Sequence, residues 1–125
     1  MTAINIAATS STPEVDYNIL NEVQRITGVS TPVDSVEFYS PMINWINQNA
    51  GSLKSGCVFE FELNYFNSSS MKALVWLLQQ IEEMILAGNA WTIRWVIVED
   101  DEFMEEAAEA MQTLLEVPVA IERRS

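Results

Sequence analysis

The feature that most constrains this chain is the stretch from residue 56 to residue 123, where apolar runs of strand length alternate with amphipathic runs of helix length. In "GCVFEFELNYF", Phe59, Phe61 and Leu63 fall on one face and the acids Glu60 and Glu62 on the other. Successive strand side chains point to opposite faces, so this spacing predicts a strand. "SSMKALVWLLQQIEEMILAGN" follows, with Met71, Leu74, Val75, Leu78, Ile81 and Ile85 at helical spacing and Gly88-Asn89 as a stop. "AWTIRWVIVE" is a nearly continuous apolar run, as in a central strand covered on both faces. "DDEFMEEAAEAMQTLLE" predicts an amphipathic helix with acids at the end where the helix dipole favours them, and "VPVAIER" a last short strand. Strands separated by helices need crossovers, which make neighbouring strands parallel.

The N-terminal part is organised differently. "EVDYNI" and "EVQRITG", joined by "LN", predict a β-hairpin, and "AINIAAT" a further short strand with Ile4 and Ile6 on one face. "VDSVEFYSPMINWINQN" predicts a helix capped by Asp34, with Phe38, Met42, Trp45 and Ile46 sharing a face. Pro41 conflicts with a helix interior. Either the regular helix starts at Ser40 with Pro41 as its first helical residue, or the first turns are kinked. The expected fold class is therefore α/β: one domain over residues 1–125, a β-hairpin followed by alternating α and β, with a mixed sheet and three main helices. A chain of 125 residues suits a single core.

Composition narrows the function. The net charge is −12, from 18 acids against 6 bases, which opposes binding to nucleic acid or an anionic membrane and favours a basic or mixed-charge protein partner. No apolar run reaches the length of a membrane helix, and "MTAINIAATS" lacks the basic and apolar regions of a signal peptide. Cys57 is the only cysteine, which rules out an intrachain disulfide, fits a reducing cytoplasm and reads as a small core residue. With no histidine, neither a Ser-His-Asp nor a Cys-His arrangement can be built, and zinc lacks its usual donors. Phosphate-binding glycine loops are absent as well. No catalytic residue, metal or cofactor is expected. The run Glu99 to Glu102, with Glu105 and Glu106, supplies oxygen ligands of the kind Mg²⁺ takes, but acids at a helix start explain it more simply. Trp45 and Trp95 fit the core. Trp76 lies off the apolar stripe, beside Leu77, and is a candidate partner contact or a packing residue against a neighbouring helix.

The chemistry concentrates in "NYFNSSSMKALVWLL", residues 64–78, where a strand runs into a helix through Asn67 and the serines Ser68, Ser69 and Ser70. In the simpler reading these are helix caps, with Asn67 or Ser68 at the cap position. The alternative is a phosphorylated hydroxyl, since the free N–H groups and positive end of a helix stabilise a phosphoryl group. Ser68, at the junction, is the best placed. Ser69 and Ser70 fall in the first turn, where the backbone competes for them. Glu14 in "TPEV" is a candidate neighbour of this site.

"LNYFNSSS" before a helix, with "STPEV", "ITGVS", "EFYSPMINWI" and "RWVIVEDDEFMEEA" in order along the chain, resembles the SiaC-type regulatory phosphoproteins of bacteria. That family's fold is similar to the STAS domain of anti-sigma-factor antagonists. The resemblance implies a non-enzymatic partner switch: a Ser/Thr kinase phosphorylates one hydroxyl, and a metal-dependent Ser/Thr phosphatase removes the group. The unmodified form binds and activates a diguanylate cyclase, raising cyclic di-GMP in biofilm control. By position the phosphoacceptor is Ser68, where the family more often has Thr, and Asn67, Ser69 and Ser70 complete the motif. The competing expectation is a constitutive acidic protein-binding module whose serines only cap a helix.

Overall fold

The computed structural model describes residues 2–125. Three strands come first: β1 (Ala3–Ile6), β2 (Glu14–Asn18) and β3 (Val23–Ser30). Then α1 (Ser35–Asn49), β4 (Val58–Phe66), α2 (Ser68–Leu86), β5 (Thr92–Val98), α3 (Glu102–Leu114) and β6 (Val119–Arg124) alternate. They build one six-stranded sheet in the order β1-β2-β3-β4-β5-β6. The pairs β1–β2 and β2–β3 are antiparallel, and β3 to β6 are parallel. The expected hairpin is present, with a four-residue connection (19–22) in place of the two-residue "LN", closed by Asn21 N–H donating to the Asn18 carbonyl at 2.9 Å.

Each parallel crossover steps one strand in the same direction. Repeated with the usual right hand, such steps lay every helix on the same face of the sheet. The side chains agree. Phe59, Phe61, Ile93 and Trp95 line one face in matched register. Trp45 of α1 meets Tyr17, which meets Phe59, and the Trp95 indole donates to the Met104 carbonyl of α3. The core lies between this face and the helices.

The other face carries no helix, which corrects the expectation of a central strand covered on both sides. A knot of charge lies there instead. The Glu60 carboxylate accepts from Arg25 at 3.0 Å, Arg94 at 2.7 and 2.9 Å and Arg124 at 3.0 Å. Those arginines stand on β3, β5 and β6, so one carboxylate on β4 is tied to all three other parallel strands. Read from alternation alone, Glu60 is a solvent-facing acid, yet it is 2% exposed. Arginine stems cover apolar surface while their heads stay hydrated, which is how Val96 on this face is buried too.

Two helices start or pack differently from the sequence reading. α1 begins at Ser35, not Ser40, with Asp34 capping as expected by accepting from Glu37 N–H at 3.0 Å. Pro41 lies inside α1 on its exposed side, where the Glu37 carbonyl that loses its helical donor can bond water. The buried stripe of α2 is centred on Ser70, Ala73, Leu74, Leu77, Leu78 and Ile81, leaving Met71, Val75 and Ile85 at its margin. Gly88, at φ +118°, ends α2 where the "GN" stop was expected.

Burial pushes the Glu60 carboxyl pKa up, but the Arg94 hydrogen bond and the charges of Arg94 and Arg124 outweigh it and hold the group below its ordinary 4.5. A carboxylate with a depressed native pKa adds stability that is complete above its unfolded value and is lost as pH falls through the native one. Acid unfolding of the wild type should therefore steepen below about pH 4.5. Glu60→Gln should cost about 2 kcal/mol at neutral pH and flatten that acid limb, as read by urea melts across pH.

Candidate functional site

The site stands at the carboxyl ends of the parallel strands, and a bulge in β4 sets it up. Gly28 of β3 pairs with Leu63, but Val29 pairs with Tyr65, so Asn64 is an extra residue. Were Asn64 paired in a regular strand, alternation after Leu63 would turn Tyr65 inward and Phe66 outward. With Asn64 bulged out of the pairing, Phe66 is buried at 5% exposure and Tyr65 stands open at 48%. Phe66 packs against Trp95 and Phe103, and Tyr65 stacks on Phe103 with ring centres 5.4 Å apart. Gly28 takes φ +126°, a conformation that side-chain-bearing residues resist, at the matching point of β3.

Asn67 then caps α2, its side chain accepting from Ser70 N–H at 3.0 Å. This decides between the two cap candidates and overturns the view of the serines as caps: among the described residues none of their side chains receives a helix N–H. The three serines have separate fates. Ser70 is fully buried and Ser69 is tied to side chains, while the Ser68 hydroxyl is exposed and makes no hydrogen bond among the described residues.

Ser69 and Ser70 belong to a chain of hydroxyls whose direction can be worked out. Ser30 donates to Ser70 at 3.0 Å, so it must accept from Tyr39 at 2.6 Å. Ser69 donates to the Asn67 side chain at 3.2 Å, so it must accept from Ser35 at 3.0 Å. Ser35 has then spent its one proton, and Ser70 donates to it at 3.3 Å. The relay runs Tyr39, Ser30, Ser70, Ser35, Ser69, Asn67, and each hydroxyl after the first both donates and accepts. Burial pushes the Tyr39 phenol up to about 12 against the lowering effect of Ser30, so it stays a donor at any working pH. The network joins the end of β3, the start of α1 and the start of α2, and leaves Ser68 outside.

Two grooves meet at Ser68. One, of about 520 Å³, lies between α2 and α3 and is lined by Tyr65, Phe66, Met71, Phe103 and Ala107, among others. The second, of about 460 Å³, lies toward the start of α1 and includes Val33, Asp34 and Val36. Ser68 and Lys72, one helical turn apart, line both. The four arginines are held in ion pairs, Arg123 with Glu105 and the others with Glu60. Lys72 is therefore the cation this site presents. Its spacing of four from Ser68 was visible in the sequence; the bulge that exposes Tyr65 was not.

The other sequence candidates lie apart. Trp76 is 41% exposed, two turns along α2 from Ser68, and lines neither groove. Glu14 opens β2 at this end of the sheet, paired with Thr27 on the far side of β3 from Ser68. Asp101 of the acidic run caps α3 by accepting from Met104 N–H at 3.1 Å. Among the described residues no group of three potential metal ligands converges.

A family model described as SiaC family regulatory phosphoprotein matches residues 6–124. An uncharacterized Pseudomonas aeruginosa protein of strain UCBPP-PA14 is 27% identical over 122 residues, 98% of this chain and 97% of that one. SiaC of Pseudomonas aeruginosa superposes with a TM-score of 0.86 at 26% identity, covering 99% of this chain and 100% of that chain. The same score and identity, over 97% and 99% of the two chains, hold for a crystal structure of the diguanylate cyclase SiaD in complex with its activator SiaC.

The site's geometry sets an order of stabilities. Ser70→Ala leaves buried hydroxyls without partners and should cost about 1–3 kcal/mol. Asn67→Ala removes the cap and should cost about 1 kcal/mol. Ser68→Ala should stay within about 0.5 kcal/mol of wild type. Parallel urea melts of the three variants test that ranking.

Proposed function

The chain belongs to the SiaC family of regulatory phosphoproteins, and from that premise we propose that it is a non-enzymatic partner switch whose phosphoacceptor is Ser68. The observation that carries this reading is the division of labour at the head of α2. Asn67 caps, Ser69 and Ser70 are bound into the relay, and only Ser68 offers an unengaged, exposed hydroxyl at the meeting of two grooves. A kinase can reach it without unfolding anything.

A phosphoryl group there adds about −1.5 to −2 charge at neutral pH. It faces the first-turn N–H groups of α2, which no helical carbonyl can satisfy, and so is tolerated by the fold. A partner covering the same surface would have to desolvate that charge, and binding is lost. A Ser/Thr kinase therefore closes the switch and a metal-dependent Ser/Thr phosphatase reopens it. The effector class is a diguanylate cyclase, by analogy with the cyclase SiaD that SiaC of Pseudomonas aeruginosa activates. In this reading the unmodified protein raises cyclic di-GMP in biofilm signalling. Trp76, exposed on the same helix, extends the contact surface. The setting is the cytoplasm, and no helix among the described residues is long and apolar enough to cross a membrane.

Intact-mass measurement and peptide mapping of protein from its native host, with and without phosphatase, should find one phosphate, on Ser68. Ser68→Asp should weaken effector binding, whereas Ser68→Ala should bind and resist the kinase. A protein unmodified under every growth condition, or two variants that bind alike, would leave a constitutive binding module as the better description.

A further inference from the structure

We propose that the groove between α2 and α3 is the partner seat, and that its occupant is an apolar segment of the partner flanked by one acidic and one basic residue. The proposal deepens the switch reading and rests on it for its regulation. The groove's floor is Phe66, Met71 and Ala107. Its open side is the stacked pair Tyr65 and Phe103, 48% and 41% exposed. Rings stacked in the open gain little from their own core, whereas a partner that covers them gains their full apolar area. A volume of about 520 Å³ falls within the range of ligand clefts, enough for a few large side chains acting as an anchor.

Charge chooses the flanks, because the two walls differ in sign. The α3 wall carries Glu106, with Glu102 one turn before it, and neither has an ion-pair partner among the described residues. Glu105 is neutralised by Arg123. The α2 wall carries Lys72 beside the positive end of the helix. A complementary segment turns a basic residue toward α3 and an acidic one toward Lys72. Phosphorylation of Ser68, one turn from Lys72, converts the α2 wall from positive to negative and repels that acidic flank. The second groove has no aromatic wall and contains Asp34, already spent as the α1 cap.

A photocrosslinking benzoylphenylalanine placed at Phe103 in the full chain, expressed in the native host, tests the seat. Val36 in the second groove and Ala120 on the charged sheet face serve as control positions. The expected result is one crosslinked segment at Phe103, apolar at its centre and flanked by an acid and a base. If that segment belongs to a protein other than a diguanylate cyclase, the effector reading fails and the seat stands. If a cyclase crosslinks only through Val36 or Ala120, the seat fails and the effector reading stands. A second copy of this chain at Phe103, or no crosslink there, overturns the proposal. The mapped segment, made as a synthetic peptide, then measures the mechanism. Ala110→Trp, which fills the groove from an exposed position, should weaken peptide binding roughly tenfold or more. Lys72→Glu should weaken it as Ser68→Asp does, and Ala120→Trp should leave it unchanged. Wild-type affinity in Ala110→Trp or in Lys72→Glu refutes the seat or the sign reversal, respectively.

Discussion

One carboxylate holds the parallel half of the sheet together. Glu60 on β4 is bonded to an arginine from each of β3, β5 and β6. The need for it follows from topology. Three crossovers walking the same way leave a whole sheet face without a helix, and an apolar face there would invite association. A buried ion cluster is a poor source of net stability, because desolvation offsets much of the attraction. Its value lies in register. Arg25 and Arg94 stand directly opposite Glu60, so a slip of one residue in either pairing would turn the arginine to the helix side. Four of the six bases are absorbed in ion pairs, three of them here, and the outward face of the molecule is more uniformly acidic than its net charge suggests.

Fixed strands give the site a fixed platform. The bulge turns Phe66 into the core and Tyr65 out, Asn67 closes the helix, and a one-way relay of hydroxyls stitches β3, α1 and α2 together. Ser68 is the residue that none of these devices consumes. A site of this kind stands on a rigid support and leaves one hydroxyl free, so that a change at Ser68 leaves the bonds that build the fold untouched.

Most of the fold was legible in the sequence, because periodicity reports burial by helices and strands directly. The order of elements, the Asp34 cap and the "GN" stop are local signals and came through. Glu60 did not, since alternation marks a position as facing away from the core and cannot say what waits there; its partners lie about 34 residues or more away in the chain. The start of α1 was obscured by Pro41, whose penalty is paid on a solvated side. At the site, residue type singled out the serine cluster, but the choice of Asn67 over Ser68 as cap depends on backbone direction at the strand end. The Tyr65–Phe103 wall was hidden for the same reason as the bulge: a break of parity in β4 is visible only against its partner β3.

That break of parity separates the length of β4 from the facing of its side chains at Asn64. Its side chain is exposed, and no hydrogen bond to another described residue fixes it in place. A scan of substitutions would therefore class the position as permissive. Removing the residue would restore plain alternation, with Tyr65 still opposite Val29 and Phe66 still opposite Ser30, so the wall and the floor would keep their faces while the strand lost its kink. The lesson extends to aligning distant relatives: one without the bulge is a residue shorter here, and a gap placed at Phe66 instead of Asn64 would superimpose the wall of the groove on the floor of the core.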